Sequence, residues 1–246
     1  VTDGAGIRVA VLEMPARWDA RDEALDDIDQ ELARTHADLL VVPELAFTGY
    51  LSPRGEIDLS HFSEPLDGTT VTEAKRIAKR RHANLVVPLV LREGDTISNA
   101  AVLVEPTGEV TAYRKRHPWI PERWATPGRS PPPLVRIAGI TLTFGVCYDL
   151  HFLPEDASDE LEQADLLVFT SAWVDDEATR LPQLAALATR FRVAIANANW
   201  GPGVVEIPGQ GDSAIFDANG SILARVRPNE HRADAFVRAV KSSIPR

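Results

Sequence analysis

The sequence predicts an α/β protein in which two mixed β-sheets pack on each other beneath covering helices. Three observations carry that prediction. Apolar runs of strand length alternate with longer stretches whose apolar residues recur at helical period. Several later runs are joined in pairs by turn residues, which is hairpin chemistry and argues against a purely parallel sheet. The chain has 246 residues, 44% of them hydrophobic, enough to bury a sizeable core without disulfides or metals. No low-complexity linker divides it, so residues 1–246 read as a single domain.

In chain order, Ile7–Leu12 reads as a strand, and Arg21–Thr35 as a helix with Leu25, Ile28 and Leu32 near one face. Leu39–Val42 is a compact buried strand ending at Pro43-Glu44. Thr69–Arg81 is a second helix, with Val71, Ala74, Ile77 and Ala78 inward, and Leu85–Leu91 is the next strand. Ser98–Glu105 and Glu109–Arg114 flank Pro106-Thr107-Gly108, a hairpin turn. Leu134–Ile137 and Ile140–Val146 flank Ala138-Gly139, and a Pro-rich long loop, 127–133, precedes them. Leu166–Ser171 is a strand, Leu181–Arg190 a helix and Val193–Asn199 a strand. Ala214–Phe216 and Ile222–Val226 flank Asp217-Ala218-Asn219-Gly220, a third hairpin.

The formal net charge is −10, which argues against a nucleic-acid partner, because phosphate binding needs a concentrated basic surface. The one dense basic run, Lys79-Arg80-Arg81-His82, falls where a helix should end and complements its dipole there. The single cysteine permits no intramolecular disulfide and suggests a reducing compartment. No run approaches the ~18 consecutive apolar residues of a membrane helix, and the start of the chain has no signal-like pattern. These features predict a soluble, cytoplasmic protein. The six histidines are scattered without metal-ligand spacing. Phosphate-binding loop, Gly-x-Ser-x-Gly, His-Glu-x-x-His and Cys-x-x-Cys signatures are all absent, so no metal or cofactor is expected.

Three reactive residues share one topological position. Glu44, Lys115 and Cys147 each follow the carboxyl end of a strand, the edge at which α/β sheets bind ligands. Their chemistry is coherent. A thiol is nucleophilic as thiolate, an ammonium can stabilise that thiolate and later an oxyanion, and a carboxylate can take the thiol proton and return it to a departing amine. Each residue also has a plainer reading. A lone cysteine after a strand is most often a small buried hydrophobe, Lys115 belongs to a basic cluster with Arg114 and Arg116, and Glu44 could neighbour a helix cap.

The surrounding residues resemble the nitrilase superfamily of carbon–nitrogen hydrolases. Val41 to Tyr50, Val-Val-Pro-Glu-Leu-Ala-Phe-Thr-Gly-Tyr, is similar to its glutamate motif. Ala112 to His117, Ala-Tyr-Arg-Lys-Arg-His, is similar to its lysine motif, and Gly145-Val146-Cys147-Tyr148-Asp149 to its nucleophile motif. Asn99-Ala100-Ala101 and Gly211 to Ile215 resemble flanking family segments, so that the likeness runs from about Ile7 to Val226. The resemblance implies an αββα sandwich, commonly dimerised. It also implies Glu44 as general base and acid, Cys147 as nucleophile, Lys115 with the backbone N–H of Tyr148 as oxyanion donors, and a thioester acyl-enzyme hydrolysed by water. Glu122, in Pro118-Trp119-Ile120-Pro121-Glu122-Arg123-Trp124, resembles the second glutamate of aliphatic amidases and formamidases, displaced by one position. A loop carboxylate facing water is its alternative reading.

Two departures from the family pattern stand out. His151-Phe152-Leu153-Pro154-Glu155 has no arginine where the family carries Arg-Phe-Pro-Glu. Ala186 to Phe191 aligns with Ala-Arg-Ala-x-Glu-Asn with both charges lost or reversed. Tyr148-Asp149 is similar to amidases and carbamoylases, whereas nitrilases carry Trp-Glu after the cysteine. The expected substrate is therefore a small amide, an ω-amide or an N-carbamoyl compound, attacked with water as the second reactant by a homodimer or higher homo-oligomer. Tyr50, Trp119, Trp173 and Asn199 are the candidate substrate contacts. Nitrile hydrolysis, acyl transfer to an amine and a non-catalytic scaffold are the competing readings.

Overall fold

The computed structural model describes residues 5–175 and 177–241. Twelve strands form two six-stranded mixed sheets. The first contains β1 (Gly6–Leu12), β2 (Leu39–Val41), β3 (Asn84–Glu93), β4 (Thr96–Val104), β5 (Val110–Arg114) and β12 (Arg232–Arg238), in the order β12-β1-β2-β3-β4-β5. The second contains β6 (Val135–Ile137), β7 (Ile140–Val146), β8 (Leu166–Ser171), β9 (Ala194–Asn199), β10 (Ala214–Phe216) and β11 (Ile222–Arg225), in the order β11-β10-β9-β8-β7-β6. In each sheet three strands run parallel and antiparallel strands complete the edges, as hairpins except where β12 returns beside β1 and β10 beside β9.

The central strands are buried on both faces, which is why they read as unbroken apolar runs. Val9, Val11, Leu39, Val41 and Leu103 meet Leu142, Phe144, Val146, Val168 and Ala196 in the core between the sheets. The alternate residues of the first sheet, including Ala10, Leu12, Leu40 and Val87, pack under α1 (Arg21–Arg34) and α2 (Thr69–Arg81). Leu167, Phe169 and Ile195 do the same under α3 (Leu153–Asp156), α4 (Ser158–Gln163) and α5 (Arg180–Phe191). The layers are therefore helix, sheet, sheet, helix, the αββα sandwich that the family resemblance implies. The basic run at 79–82 ends α2: His82 adopts a left-handed cap (φ 52°), and Arg80 and Arg81 bind Asp29 on α1 at 2.9 and 2.7 Å.

Strand β5 is antiparallel to β4, and β4 to β3, so β5 points the same way as β2. The carboxyl ends of β2 and β5 therefore open at one edge of their sheet. A bridge between Pro15, after β1, and Gly201, after β9, brings the matching edge of the second sheet alongside.

Candidate active site

Each reactive residue leaves its strand through a constrained backbone. Beyond β2, Leu45 takes φ 53° directly after Glu44, and the turn closes with Gly49 N–H on the Leu45 carbonyl at 2.8 Å. Only glycine fits at 49, because its φ is +80° and an added Cβ would lie 2.0 Å from the Arg17 carbonyl oxygen. Lys115 is pinned on both sides: its N–H donates to the Asn99 carbonyl, and its carbonyl accepts from Gly128, each at 2.8 Å. Cys147 opens a 3₁₀ turn over Cys147–His151 with φ 45°. Left-handed geometry at a non-glycine residue costs roughly 1–2 kcal/mol and persists only where surrounding structure holds it.

A closed ion cluster joins Glu44 and Lys115 to a second carboxylate, Glu122. The Lys115 ammonium, 0% exposed, donates to Glu44 Oε1 at 2.7 Å and to Glu122 Oε1 at 2.6 Å. Asn99 Nδ2 donates to Glu44 Oε1 at 2.7 Å, and the Ala172 N–H donates to Glu44 Oε2 at 3.0 Å. The Tyr50 hydroxyl donates to Glu122 Oε1 at 2.8 Å. Glu122 is 3% exposed, so it is not a water-facing loop carboxylate. Two of the three Lys115 donors are committed, which leaves one for a ligand.

Burial opposes charge on Lys115, but Glu44 and Glu122 outweigh it and hold the ammonium above the usual lysine range. Burial also pushes the Glu122 carboxyl up; Lys115 opposes that and Glu44 adds to it. The Cys147 thiol stands well above the ordinary thiol range, first through burial and then through the Glu44 charge, while Lys115 and the Ala172 N–H pull it back. The charged groups that act on the sulfur's titration, beyond burial, are thus the members of the ion cluster.

Aromatic rings stand around these groups. Tyr50 lies 6.2 Å from Trp119 and 6.1 Å from Trp200. Trp173, which packs in the same apolar cluster as Cys147, lies 5.6 Å from His151, and His151 lies 5.0 Å from Tyr148. Asn199 has no polar atom left over. Its Oδ1 accepts from Ser171 Oγ and the Trp173 N–H, and its Nδ2 donates to the carbonyls of Gly209 and Gly211. It positions Trp173 and the 209–211 loop rather than facing the pocket with a free group. A groove of 950 Å³ along β11 and β12 is lined by none of the residues of this cluster.

The sequence assigns no role to Asn99 or Asp149, which it shows only as members of family-like segments, and does not single out Arg180. Asn99 had a legible signal, an amide inside an otherwise apolar strand, where burial demands a partner. Arg180, buried at the start of α5, donates to the carbonyls of Gly209, Gly211 and Asp212 at 3.1, 2.6 and 3.1 Å. Burial lowers its pKa to about 10. Nothing in the sequence around it foretold those carbonyls, because they lie in an irregular loop.

Among the described residues no group of three His, Cys, Asp or Glu side chains is arranged to hold a metal ion, and no helix is long and apolar enough to cross a membrane. Fold and site together define an αββα protein with a cysteine beside a buried glutamate–lysine pair. The chain belongs to the carbon-nitrogen hydrolase family, whose profile matches residues 8–234.

Named relatives fall in the same class. The chain is 31% identical to an (R)-stereoselective amidase from a Pseudomonas species over 140 residues, 56% of this chain and 49% of that protein. It is 26% identical to the omega-amidase YafV of Escherichia coli over 229 residues, 89% of this chain and 84% of the other. Against the first of these, the chain spans only about half the relative's length. An amidase from Nesterenkonia superposes with a TM-score of 0.83 at 27% identity, covering 97% of this chain and 93% of that one. A glutamate-to-glutamine variant of that amidase carries the acetamide moiety of fluoroacetamide covalently at its active-site cysteine.

Proposed function

We propose that the protein hydrolyses the C–N bond of a small uncharged amide through a thioester on Cys147. The observation that carries this reading is the buried Lys115 ammonium bridging Glu44 and Glu122 at 2.7 and 2.6 Å, with the titration of Cys147 coupled to all three. Because the thiol rests protonated, it needs a base as it attacks, and Glu44 is the carboxylate that receives the proton. The sulfur adds to the amide carbon. The oxygen, now anionic, meets the third Lys115 donor and the N–H of Tyr148, which lies in the first turn of the 3₁₀ segment where N–H groups lack intrahelical acceptors. Glu44 returns its proton to the nitrogen, the amine or ammonia leaves, and water, deprotonated by Glu44, releases the acid. Glu122 Oε1 is taken by Lys115 and Tyr50, whereas Oε2 has only a long contact, 3.4 Å, from Asn99. Oε2 is therefore the acceptor available to orient the amide N–H. Tyr50, Trp119 and Trp173 form the walls, and Asn199 acts through Trp173.

Charge favours an uncharged substrate. Glu44 and Glu122 share one ammonium between them, so a substrate carboxylate brought beside them meets two carboxyl groups and no free cation. A solved amidase of similar fold binds butyramide in its C→A variant. One feature supports a second reading, an ω-amide or ureido acid: Arg180 is a buried cation whose Nε has no partner and which has no carboxylate within ion-pair distance among the described residues.

Ammonia release from butyramide, ω-amides, ureido acids and nitriles separates these readings, and a hydroxamate assay with hydroxylamine reports acyl transfer. Turnover of butyramide, with an intact-mass acyl adduct on the wild type and none on folded Cys147→Ala, is the expected result. Residual activity in Cys147→Ala would refute the nucleophile. Failure of every amide to react, with Cys147 inert to alkylation, would leave a non-catalytic scaffold.

A further inference from the structure

We propose that Asp149 is the positioning residue that holds the nucleophile in register with the lysine, an inference that rests on the reaction proposed above. Asp149 is 1% exposed and lies two residues after Cys147. Its Oδ1 accepts the His117 N–H at 2.9 Å, and its Oδ2 accepts the Tyr113 hydroxyl at 2.9 Å and the Val146 N–H at 3.1 Å. Tyr113 and His117 bracket Lys115 two residues to either side, and Val146 immediately precedes Cys147. One carboxylate thus grips the backbone of the nucleophile and both flanks of the lysine.

The tie crosses between the sheets. Tyr113 belongs to β5 in the first and Val146 to β7 in the second. What otherwise joins these strands is apolar packing, Tyr113 against Phe144 at 6.4 Å among the aliphatic side chains of the core. Apolar burial is non-directional and tolerates small sliding. Hydrogen bonds to an ionised carboxylate are short and directional. The reaction needs the sulfur and the ammonium held against one carbonyl group, and misplacement by about 1 Å can cost about 10²-fold in rate. The Val146 bond also fixes the Gly145–Val146 peptide, one residue ahead of the left-handed Cys147. Burial pushes the Asp149 carboxyl up, and Lys115 together with the three donors opposes that shift.

Asp149→Asn keeps the volume but brings an amide donor toward N–H donors, and Tyr113→Phe removes a single bond. Both variants and their double mutant are assayed for kcat and KM on butyramide and for the rate of Cys147 alkylation by iodoacetamide, well below each melting temperature. The expected result is a fall in kcat of about 10²-fold for Asp149→Asn and about tenfold for Tyr113→Phe, KM within about twofold, and a double mutant no worse than Asp149→Asn. Alkylation slows in the same order. Wild-type kcat and alkylation in Tyr113→Phe, a raised KM at constant kcat, or multiplicative losses in the double mutant would overturn the assignment. If Asp149→Asn does not fold, Tyr113→Phe decides alone. If the wild type turns over no amide, the proposed reaction fails by itself, and the alkylation order still decides the positioning role.

Discussion

At the residue scale the site turns on where a proton rests. Burial and the Glu44 carboxylate hold the Cys147 proton on sulfur, and Lys115 opposes them without prevailing. In the reaction proposed above the thiolate would therefore form only as the substrate is attacked, unlike cysteines whose cationic surroundings keep them ionised. The sign of one substitution follows. Glu44→Gln removes a negative charge from beside the sulfur, so the thiol pKa falls and iodoacetamide alkylation near pH 7.5 speeds several-fold, since roughly 8.5 is the free thiol value. Turnover falls by at least about 10²-fold because the base is gone. In the wild type, alkylation climbs with pH and is still climbing above about 8.5. Slower alkylation in Glu44→Gln, or a wild-type plateau near neutrality, would show the resting sulfur already ionised. The lysine gains in the opposite way: with Glu44 and Glu122 against it, its charge survives complete burial.

At the element scale, helices reach the sheets by burying one face, and α1 and α2 are also joined to each other through Asp29 and Arg81. The bond from Arg81 holds the Asp29 carboxyl below its ordinary value. A lowered folded-state pKa stabilises above the unfolded value, near 3.9, and that stabilisation is lost as pH falls through the folded value. Asp29→Asn should therefore lower the urea midpoint slightly at pH 7, and the gap from wild type should shrink below about pH 4. A gap that is constant with pH would assign the effect to packing.

The elements with strong periodicity were legible before any coordinates: Thr69–Arg81, Leu166–Ser171 and Ala214–Phe216 lie at the expected residues. Strand β3 was legible despite Pro88, and the reason is local. Its ladder with β2 stops at Val86, so Pro88 has no neighbour on that side to disappoint. Strand β12 was missed because its buried positions Ala233 and Val237, with Ala235 between them, carry little apolar bulk between charged residues. The site divides in the same way. Glu44, Lys115 and Cys147 could be read because strand ends are visible as changes in hydropathy. The Ala172 N–H on Glu44 and the three bonds of Asp149 depend on how two sheets abut, which no local pattern encodes.

At the scale of the whole molecule, one apolar layer holds both halves of the site in place. Phe144 is 0% exposed in the core between the sheets. Phe144→Ala should cost about 3–5 kcal/mol of unfolding free energy, the range for a buried phenylalanine whose cavity cannot collapse. Chemical denaturation should show it as a lower midpoint at unchanged slope. A cost under about 1 kcal/mol would mean that the layers close readily over the gap.

Strand β1 lies between β2 and β12, and its antiparallel register runs from Gly6 opposite Arg238 to Leu12 opposite Arg232. During synthesis β1 must therefore wait, one flank unpaired, until β12, near the far end of the described residues, has left the ribosome. At roughly 5–20 residues per second that interval is on the order of ten seconds or more. A chain cut short before Arg232 would hold all three reactive side chains beside an unprotected sheet margin, a template for aggregation.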